Sequence, residues 1–343
     1  MPLSPASSEP DAPIPSVPAP NVRSRLEAAA TWTAGDEPAS PLAAVTARLR
    51  AAGCVLAEAE AELLLGTAAD PAELDRLVGR RAAGTPLEYV LGWAEFCGQR
   101  FVIEDGVFVP RHRTAFLVDV ATGLALARRA TVSTALPSPG ATVEAGPART
   151  SLVVDLCCGS GALGAVLATR LRPGTPDIGM LDSETLRSGA LELHAADLAP
   201  AAVRCARRNV APLGGRVYEG DLYAALPAAL RGRVDLLIAN APYVPTEAID
   251  LLPPEAREHE SPVALDGGSD GLAVLRRVIA EAPDWLAAGG HLLAETSAGQ
   301  AAALTAVVRA AGLIAQTVHS HEHEVTVVVA TKPAGVGDRE AGT

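Results

Sequence analysis

The segment 155–161, which reads Asp-Leu-Cys-Cys-Gly-Ser-Gly, constrains the fold of this chain more than any other. It follows the apolar run Ser-Leu-Val-Val and precedes a long Ala- and Leu-rich run that favours a helix. Gly159 and Gly161 let the backbone approach a ligand closely, and the N-terminal N–H groups of the next helix add hydrogen-bond donors. The sequence therefore predicts a strand, a ligand-binding loop and a helix in succession.

Apolar strands and helical segments alternate through the rest of the chain, which implies an α/β fold with a mostly parallel sheet and helices on both faces. The last strand follows a short turn after His319 and should be antiparallel. Seven strands in this order are typical of the Rossmann-like sheet of class I S-adenosylmethionine-dependent methyltransferases. We predict strands over 152–156, 191–196, 216–219, 234–239, 290–295, 314–319 and 324–330, and a helix over 299–311.

The N-terminal third has a different texture. Residues 1–22 are rich in Pro, Ser and Ala and predict a disordered tail. Residues 23–83 predict a small helical domain, which is either a packing appendage or a platform that recognises a protein substrate. Residues 84–113 alternate aromatic and β-branched residues with polar ones and predict a β-hairpin linker. Within residues 23–83, apolar residues recur at helical spacing at Leu56, Leu63, Leu64 and Leu65.

The remaining residues, 114–332, are predicted to form the catalytic domain and to begin with a helix over 114–130. The first two strands of this domain are predicted to end at Asp155 and Asp197. These acids lie farther apart in the sequence than a simple strand–helix–strand step requires. Residues 173–190 are therefore predicted to be an inserted surface loop, and 333–343 a flexible tail.

Composition argues against several classes of partner. The formal net charge of −12 disfavours unspecific binding to nucleic acid or anionic membrane, because phosphate contacts depend on clustered Lys and Arg. No apolar stretch reaches the roughly 18 residues of a membrane span, and the N-terminus lacks a signal-peptide pattern. The five cysteines contain no Cys-x-x-Cys pair and indicate neither a disulfide framework nor a zinc site. We expect a cytoplasmic protein with no membrane partner and no stable nucleic-acid partner.

Two cofactors compete for the glycine loop. Gly159, Gly161 and Gly164 form a literal Gly-x-Gly-x-x-Gly, the pattern of nicotinamide dehydrogenases. Asp155, however, would repel a pyrophosphate, whereas it suits the ammonium and sulfonium of S-adenosyl-L-methionine. The ribose acid expected about 20 residues on is also displaced, since Asp197 follows the insertion. The sequence therefore favours S-adenosyl-L-methionine over NAD.

Two further acids are predicted to end strands at the same edge of the sheet. Asp197 could accept hydrogen bonds from both ribose hydroxyls, or it could instead cap the following helix. Asp221 could accept from the adenine amino group, with Leu222 against the ring. Acids at successive strand ends strengthen the cofactor interpretation.

The fourth predicted strand runs into the tetrapeptide Asn240, Ala241, Pro242 and Tyr243, the candidate catalytic motif. An amide nitrogen is a poor nucleophile because its lone pair is delocalised, so a catalyst must hold and orient the NH₂ group. The Asn240 side-chain oxygen and the Ala241 carbonyl can each accept one of its hydrogens. Pro242 restricts the preceding residue to an extended conformation, and Tyr243 can stack on the planar amide.

These residues resemble the HemK-type protein-(glutamine-N5) methyltransferases, which modify the Gly-Gly-Gln glutamine of peptide chain release factors. The resemblance covers about residues 45–330 and implies a helical N-terminal domain, a hairpin linker and a class I catalytic domain. Other matching stretches are 84–92, Glu95 and Phe96, 109–111, 265–268, 270–272 and 295–300. The resemblance implies that S-adenosyl-L-methionine contacts Cys157, Cys158, Gly159, Ser160, Gly161, Asp197, Leu222 and Asn240, and that the substrate glutamine contacts Asn240, Ala241, Pro242 and Tyr243.

The chain departs from the family pattern at three places. Ala241 stands where the family usually has proline, which keeps the carbonyl but loosens one backbone angle. His112 and Arg113 follow Arg111 where the family usually continues Pro-Glu, so a base replaces an acid beside the site. Cys157 and its neighbour Cys158 replace a glycine and a small polar residue. The second departure suggests a paralogue with its own protein substrate.

Three alternatives stay open. Adenine-N6 methyltransferases of nucleic acid carry a similar tetrapeptide, although the acidic net charge weakens this reading. A non-catalytic S-adenosylmethionine-binding partner of the translation apparatus is another. His319, His321 and His323 would share one face of a continuous strand, but we expect a polar turn there and no metal site.

Overall fold

The computed structural model describes residues 40–133, 150–172 and 191–334. The predicted N-terminal tail, the insertion 173–190 and nearly all of the C-terminal tail lie outside these residues. The chain divides into two compact units between Ala83 and Gly84. Among the described helices, none combines the length and apolarity needed to cross a lipid bilayer.

The N-terminal unit is helical, as predicted. Ser40 begins its first helix by accepting a hydrogen bond from the Ala43 backbone at 3.2 Å, and Asp70 caps the third by accepting from Glu73 at 2.8 Å. Its three described helices are α1 (Pro41–Ala51), α2 (Ala57–Thr67) and α3 (Pro71–Ala82).

Leu49, Leu64 and Leu77 form the core of this unit. Arg81 donates to both carboxylate oxygens of Glu60, at 2.6 and 3.0 Å, and both side chains are buried. Such a pair fixes the packing of α2 against α3, because breaking it would leave a buried charge alone.

The second unit opens with the predicted hairpin. Helix α4 (Leu87–Leu91) leads into β1 (Trp93–Phe96), which pairs antiparallel with β2 (Gln99–Val102). The two-residue turn places Cys97 and Gly98 at φ of 51° and 72°, as tight hairpins require.

A seven-stranded sheet forms the centre of this unit. Its strands are β3 (Ser151–Leu156), β4 (Leu191–Asp197), β5 (Arg216–Glu219), β6 (Val234–Ala239), β7 (Leu286–Thr296), β8 (Ile314–Ser320) and β9 (Val325–Thr331). They lie in the order β5-β4-β3-β6-β7-β9-β8. The first five strands in this order run parallel, and β9 is antiparallel to both of its neighbours, β7 and β8. The predicted fold class is confirmed.

Helices cover both faces of the sheet. The helices of this unit after α4 are α5 (Ala115–Ser133), α6 (Ala162–Arg170), α7 (Pro200–Val210), α8 (Pro254–His259), α9 (Pro262–Leu265), α10 (Ala273–Trp285) and α11 (Ala301–Ala310). On one face, Trp285 and Tyr223 stack with ring centroids 5.3 Å apart, in a core that is otherwise aliphatic. The other face packs against α5 and α6.

Among the strands, the start of β7 and the position of Asp221 differ most from the prediction. Strand β7 begins four residues before the predicted position 290, because it pairs across a register shift between Val234 and Leu236 that the Ala- and Gly-rich sequence does not reveal. Asp221 lies two residues beyond the end of β5 at Glu219. It opens a turn of 3-10 helix rather than ending the strand.

The parallel register brings the carboxyl ends of the strands to one edge of the sheet. Leu156 pairs with Ala196 on one side and with Ala239 on the other, and Ala239 also pairs with Ala294. The residues that follow these strands therefore lie side by side, where α/β folds bind ligands.

The start of α6 packs closely against α7. Gly161 precedes α6 at φ 75°, and a Cβ there would lie 2.7 Å from Val210 Cγ2 on α7. We predict that Gly161→Ala lowers the free energy of unfolding by about 2–5 kcal/mol, from backbone strain plus overpacking. Gly214 is a matched control at φ 71° with nothing within 4 Å. Gly214→Ala should cost only about 1–2 kcal/mol in urea unfolding, and equal losses would contradict the crowding.

Candidate active site

A pocket lies at the carboxyl edge of the sheet. It brings together residues from the first four parallel strand ends, although they are distant in sequence. Ten of the predicted site residues line it: Asp155, Cys157, Cys158, Gly159, Ser160, Asp197, Asp221, Leu222, Asn240 and Pro242.

Three predicted site residues do not line this pocket. Gly161 packs against α7. Ala241 is buried, with 1% of its surface exposed, and Tyr243 is directed to a separate polar cluster described below. Their proposed contacts with cofactor and substrate stay predictions.

Asp155 is the penultimate residue of β3 and is buried in the wall of the pocket. Its Oδ2 accepts a hydrogen bond from the Gly164 backbone at 2.9 Å. Burial raises the pKa of this carboxyl to about 7, against the lowering effect of that bond, and the nearby Asp197 raises it further. A cation in the pocket would restore the charged form, so Asp155 suits an ammonium-bearing ligand.

Gly164 explains why α6 lies so close to this acid. A Cβ at this position would lie 2.9 Å from Asp155 Oδ2. The third glycine of the Gly-x-Gly-x-x-Gly pattern therefore serves the contact between helix and strand.

Asp197 ties the glycine loop to the next helix. Its Oδ2 accepts from the Gly159 backbone at 2.8 Å, and its Oδ1 accepts from Ala199 at 2.9 Å, just before α7. Burial raises the pKa of this carboxyl, while these backbone donors lower it. Each oxygen keeps a second acceptor position, so one carboxylate can hold the loop and also receive ribose hydroxyls.

The two cysteines of the loop are neutral wall residues. Burial raises the pKa of both thiols, and the acids around them raise it further, so Cys157 and Cys158 stay protonated at neutral pH. Cys157 adopts a left-handed φ of 55°, which is unfavourable for a side chain. This strain accounts for the glycine that is usual there in the family.

Arg277 on α10 is a pocket residue that the sequence did not single out. Its guanidinium donates to Asp221 Oδ2 at 2.6 Å, and both side chains are about half exposed. Leu222 is buried beside them at φ 48°. The pair borders an apolar wall at the position proposed for the adenine ring.

The hairpin linker supplies a second wall that the sequence analysis missed, formed by 106–108 and Pro110. The Tyr89 hydroxyl donates to the Val107 carbonyl at 2.8 Å and holds this segment in place. Arg111 Nη2 donates to both carboxylate oxygens of Glu260, at 2.7 and 2.8 Å. The stretch 109–111 is a sequence signal for this wall, whereas nothing in the sequence marks Glu260 as its partner.

Glu260 precedes the third wall, which contains Ser261, Val263 and Ala264. Only 2% of its side chain is exposed, and burial raises the pKa of this carboxyl while Arg111 lowers it. A buried acid in this position requires its cation, so the two walls are linked across the pocket.

The tetrapeptide after β6 presents Asn240 and Pro242 to the pocket. The Asn240 carboxamide makes no hydrogen bond with any residue that the structure describes, although its neighbours are firmly held. Gln300 donates to the Tyr243 carbonyl at 2.9 Å. Gly271 makes room for this bond, since a Cβ there would lie 2.2 Å from the Gln300 amide nitrogen. The Asn240 amide is therefore available to a ligand.

The Tyr243 hydroxyl joins two charged side chains. It donates to Glu295 Oε1 at 3.0 Å and accepts from Arg113 Nη2 at 2.8 Å. Burial and Glu295 raise the pKa of Tyr243 to about 12, while Arg113 lowers it, so the hydroxyl stays neutral in its double role. Arg113, one of the two departures after Arg111, thus contacts the tetrapeptide directly.

No strand face is shared by His319, His321 and His323, in line with the polar turn that we expect there. β8 ends at Ser320, so only His319 lies on it, and His321 packs edge-to-face against His319 at 4.6 Å. Across the described ranges, no three His, Cys, Asp or Glu side chains are grouped as metal ligands.

Comparison with known proteins places these features in a family, although no protein-family model matches the chain. The chain is 37% identical over 227 residues to the release factor glutamine methyltransferase of Geobacter sulfurreducens, covering 66% of this chain and 65% of that relative. It is 31% identical over 288 residues to the enzyme of the same name from Bradyrhizobium diazoefficiens, covering 79% and 86%.

A third relative has a different name. The chain is 33% identical over 288 residues to the 4-amino-L-phenylalanine/4-methylamino-L-phenylalanine methyltransferase of Streptomyces pristinaespiralis, covering 83% of this chain and 86% of that one. The similarity to these relatives covers between 66% and 83% of the chain. The chain therefore belongs to the release factor glutamine methyltransferase family of S-adenosylmethionine-dependent enzymes.

Proposed function

We propose that this enzyme methylates the side-chain amide nitrogen of a protein glutamine, with the Gly-Gly-Gln loop of a peptide chain release factor as its first candidate substrate. The unpaired Asn240 carboxamide on the pocket wall carries this proposal. It lies in a pocket with the acidic residues that suit S-adenosyl-L-methionine, and it is followed by the proline and tyrosine of the family motif. Because release factors act in the cytoplasm, the proposal also assigns a cytoplasmic location.

One group of pocket residues is proposed to bind the cofactor, and the tetrapeptide is proposed to bind the substrate. Asp155 offers a partner for the ammonium of the cofactor, and Asp197 offers acceptors for its ribose. Leu222, Asp221 and Arg277 form the wall proposed for the adenine. When bound, S-adenosyl-L-methionine supplies an electrophilic methyl group on a sulfonium.

The tetrapeptide orients the nucleophile. The Asn240 oxygen accepts one hydrogen of the substrate NH₂, and the Ala241 carbonyl accepts the other, which directs the nitrogen toward the methyl group. Both acceptors are neutral, so they do not trap the amide as a charged species. Tyr243 keeps its hydroxyl bound to Glu295, which leaves its ring as the surface offered to a planar amide.

Asn240→Ala tests the orienting role. We expect kcat to fall by about 10²–10³-fold, the usual effect of removing one oriented hydrogen-bonding group at a reacting centre. The dissociation constant for S-adenosyl-L-methionine should change by less than about tenfold, since one neutral hydrogen bond is lost. Calorimetry and single-turnover methyl transfer measure the two effects separately. Unchanged methyl transfer would remove Asn240 from the mechanism.

The pKa of about 7 at Asp155 predicts a pH-dependent affinity for the cofactor. A bound cation favours the carboxylate, which is the main form above that pKa, so the dissociation constant should rise as pH falls below it, by at most about tenfold per unit. Titration between about pH 5.5 and about pH 8 should show this slope. Asp155→Asn should flatten it, and a flat wild-type profile would contradict the assignment.

The substrate is tested by labelled methyl transfer. Release factors carrying the Gly-Gly-Gln glutamine should accept label, and the same factors with asparagine in its place should not. If neither accepts label while other glutamine proteins do, the release factor is the wrong substrate and the amide chemistry stands.

A small aromatic amine is a second candidate substrate. The relative from Streptomyces pristinaespiralis, named for an amino acid with an aryl amine, aligns with 83% of this chain. Assaying 4-amino-L-phenylalanine beside the release factors decides between the two. Methylation of that amine at a higher kcat/KM than any glutamine protein would replace the proposal.

A further inference from the structure

The guanidinium of Arg113 lies beside the catalytic tetrapeptide in a fixed orientation. It precedes Thr114 at the end of a short 3-10 turn before α5. Nη2 donates to the Tyr243 hydroxyl at 2.8 Å, and Nε approaches Glu295 Oε1 at 3.4 Å. Only 2% of the Glu295 side chain is exposed, so the cation is attached to the protein interior.

The guanidinium of Arg113 uses one of its edges for its protein partners. Nε and Nη2 share the edge that faces Tyr243 and Glu295. On the other edge, formed by Nη1 and Nη2, Nη1 makes no hydrogen bond or ion pair with the described residues, and Nη2 keeps its second N–H. Half of the Arg113 side chain is exposed. This edge presents two parallel N–H donors in one plane, and the opposite edge is bound to the protein. Such a pair of donors fits a carboxylate in bidentate geometry.

Glu295 does not occupy the donors of this outer edge. Its Oε1 receives both the tyrosine hydroxyl and Arg113, while its Oε2 is buried with no hydrogen-bond partner. The acid is therefore directed at the inner edge of Arg113. The outer edge keeps its donors for a ligand that arrives from solvent.

The cofactor is not the natural source of that ligand. Phe108 and Pro110 line the cofactor pocket, but Arg113 does not. It contacts Tyr243, the tetrapeptide residue whose ring is proposed to meet the substrate amide. The net charge of −12 also opposes a nucleic-acid phosphate as the anion.

We propose that Arg113 forms a subsite for a substrate carboxylate, so that the enzyme prefers a glutamine with an acidic residue beside it in the protein chain. This inference rests on the proposed glutamine chemistry and adds a sequence preference to it. A charge-assisted Arg–carboxylate contact should lower KM for an acidic peptide by about tenfold, with little change in kcat.

The test compares two glutamine peptides that differ only in one neighbouring residue, aspartate or asparagine. The wild-type enzyme should show about a tenfold lower KM for the aspartate peptide. Arg113→Gln should abolish this ratio, and Arg113→Lys should keep part of it, since it keeps the charge and loses the fork. Arg207→Gln, which removes an exposed charge from α7, should leave the ratio unchanged. Thermal melting of each variant reports on folding.

Two results would overturn the subsite. In the first, the wild-type enzyme has equal KM values for both peptides. In the second, Arg113→Gln raises KM for S-adenosyl-L-methionine and leaves the peptide ratio intact, which would identify the cofactor carboxylate as the ligand.

A separate outcome concerns the reaction itself. If no glutamine peptide is methylated by any variant, the glutamine proposal fails. Fluorescence anisotropy with the same two labelled peptides then tests Arg113 independently of turnover. Tighter binding of the aspartate peptide that is lost in Arg113→Gln supports the subsite, and equal binding overturns it.

Discussion

The geometry of the pocket depends on the carboxylate of Asp197. It fixes the Gly159 backbone with one oxygen and the start of α7 with the other. Those bonds hold together a loop from β3 and a helix after β4, and the Asn209 side chain of that helix adds a bond to the Ser160 carbonyl at 2.9 Å. Because the loop is anchored in this way, Cys157 can be kept in a left-handed conformation that is unfavourable by itself.

The sheet and half of the pocket could be predicted because their signals are local. An apolar run that ends in an acid or a glycine marks a strand end, and parallel strands gather their carboxyl ends at one edge. Asp155, Asp197 and Asn240 were found in this way. The hairpin was also readable, since its short turn lies between two runs of alternating residues.

The remaining walls depend on contacts that local patterns do not encode. Glu260 is paired with Arg111 from 149 positions away, and Arg277 reaches Asp221 from 56. Tyr243 was read as part of a motif, but its hydroxyl is committed to Glu295 and Arg113. Side chains of this kind acquire their role only when the fold brings their partners together, so charge alone did not distinguish them from surface residues.

Two acids of the pocket, Asp155 and Asp197, also bear on turnover. S-adenosyl-L-methionine carries a sulfonium, and its demethylated product has a neutral thioether in that place. If Asp155 and Asp197 hold the cofactor as proposed, they would face a product with one positive charge fewer, and the attraction that favours binding would be reduced. These carboxylates would therefore hold the product less strongly than the methyl donor, and the same electrostatics would limit inhibition by the product.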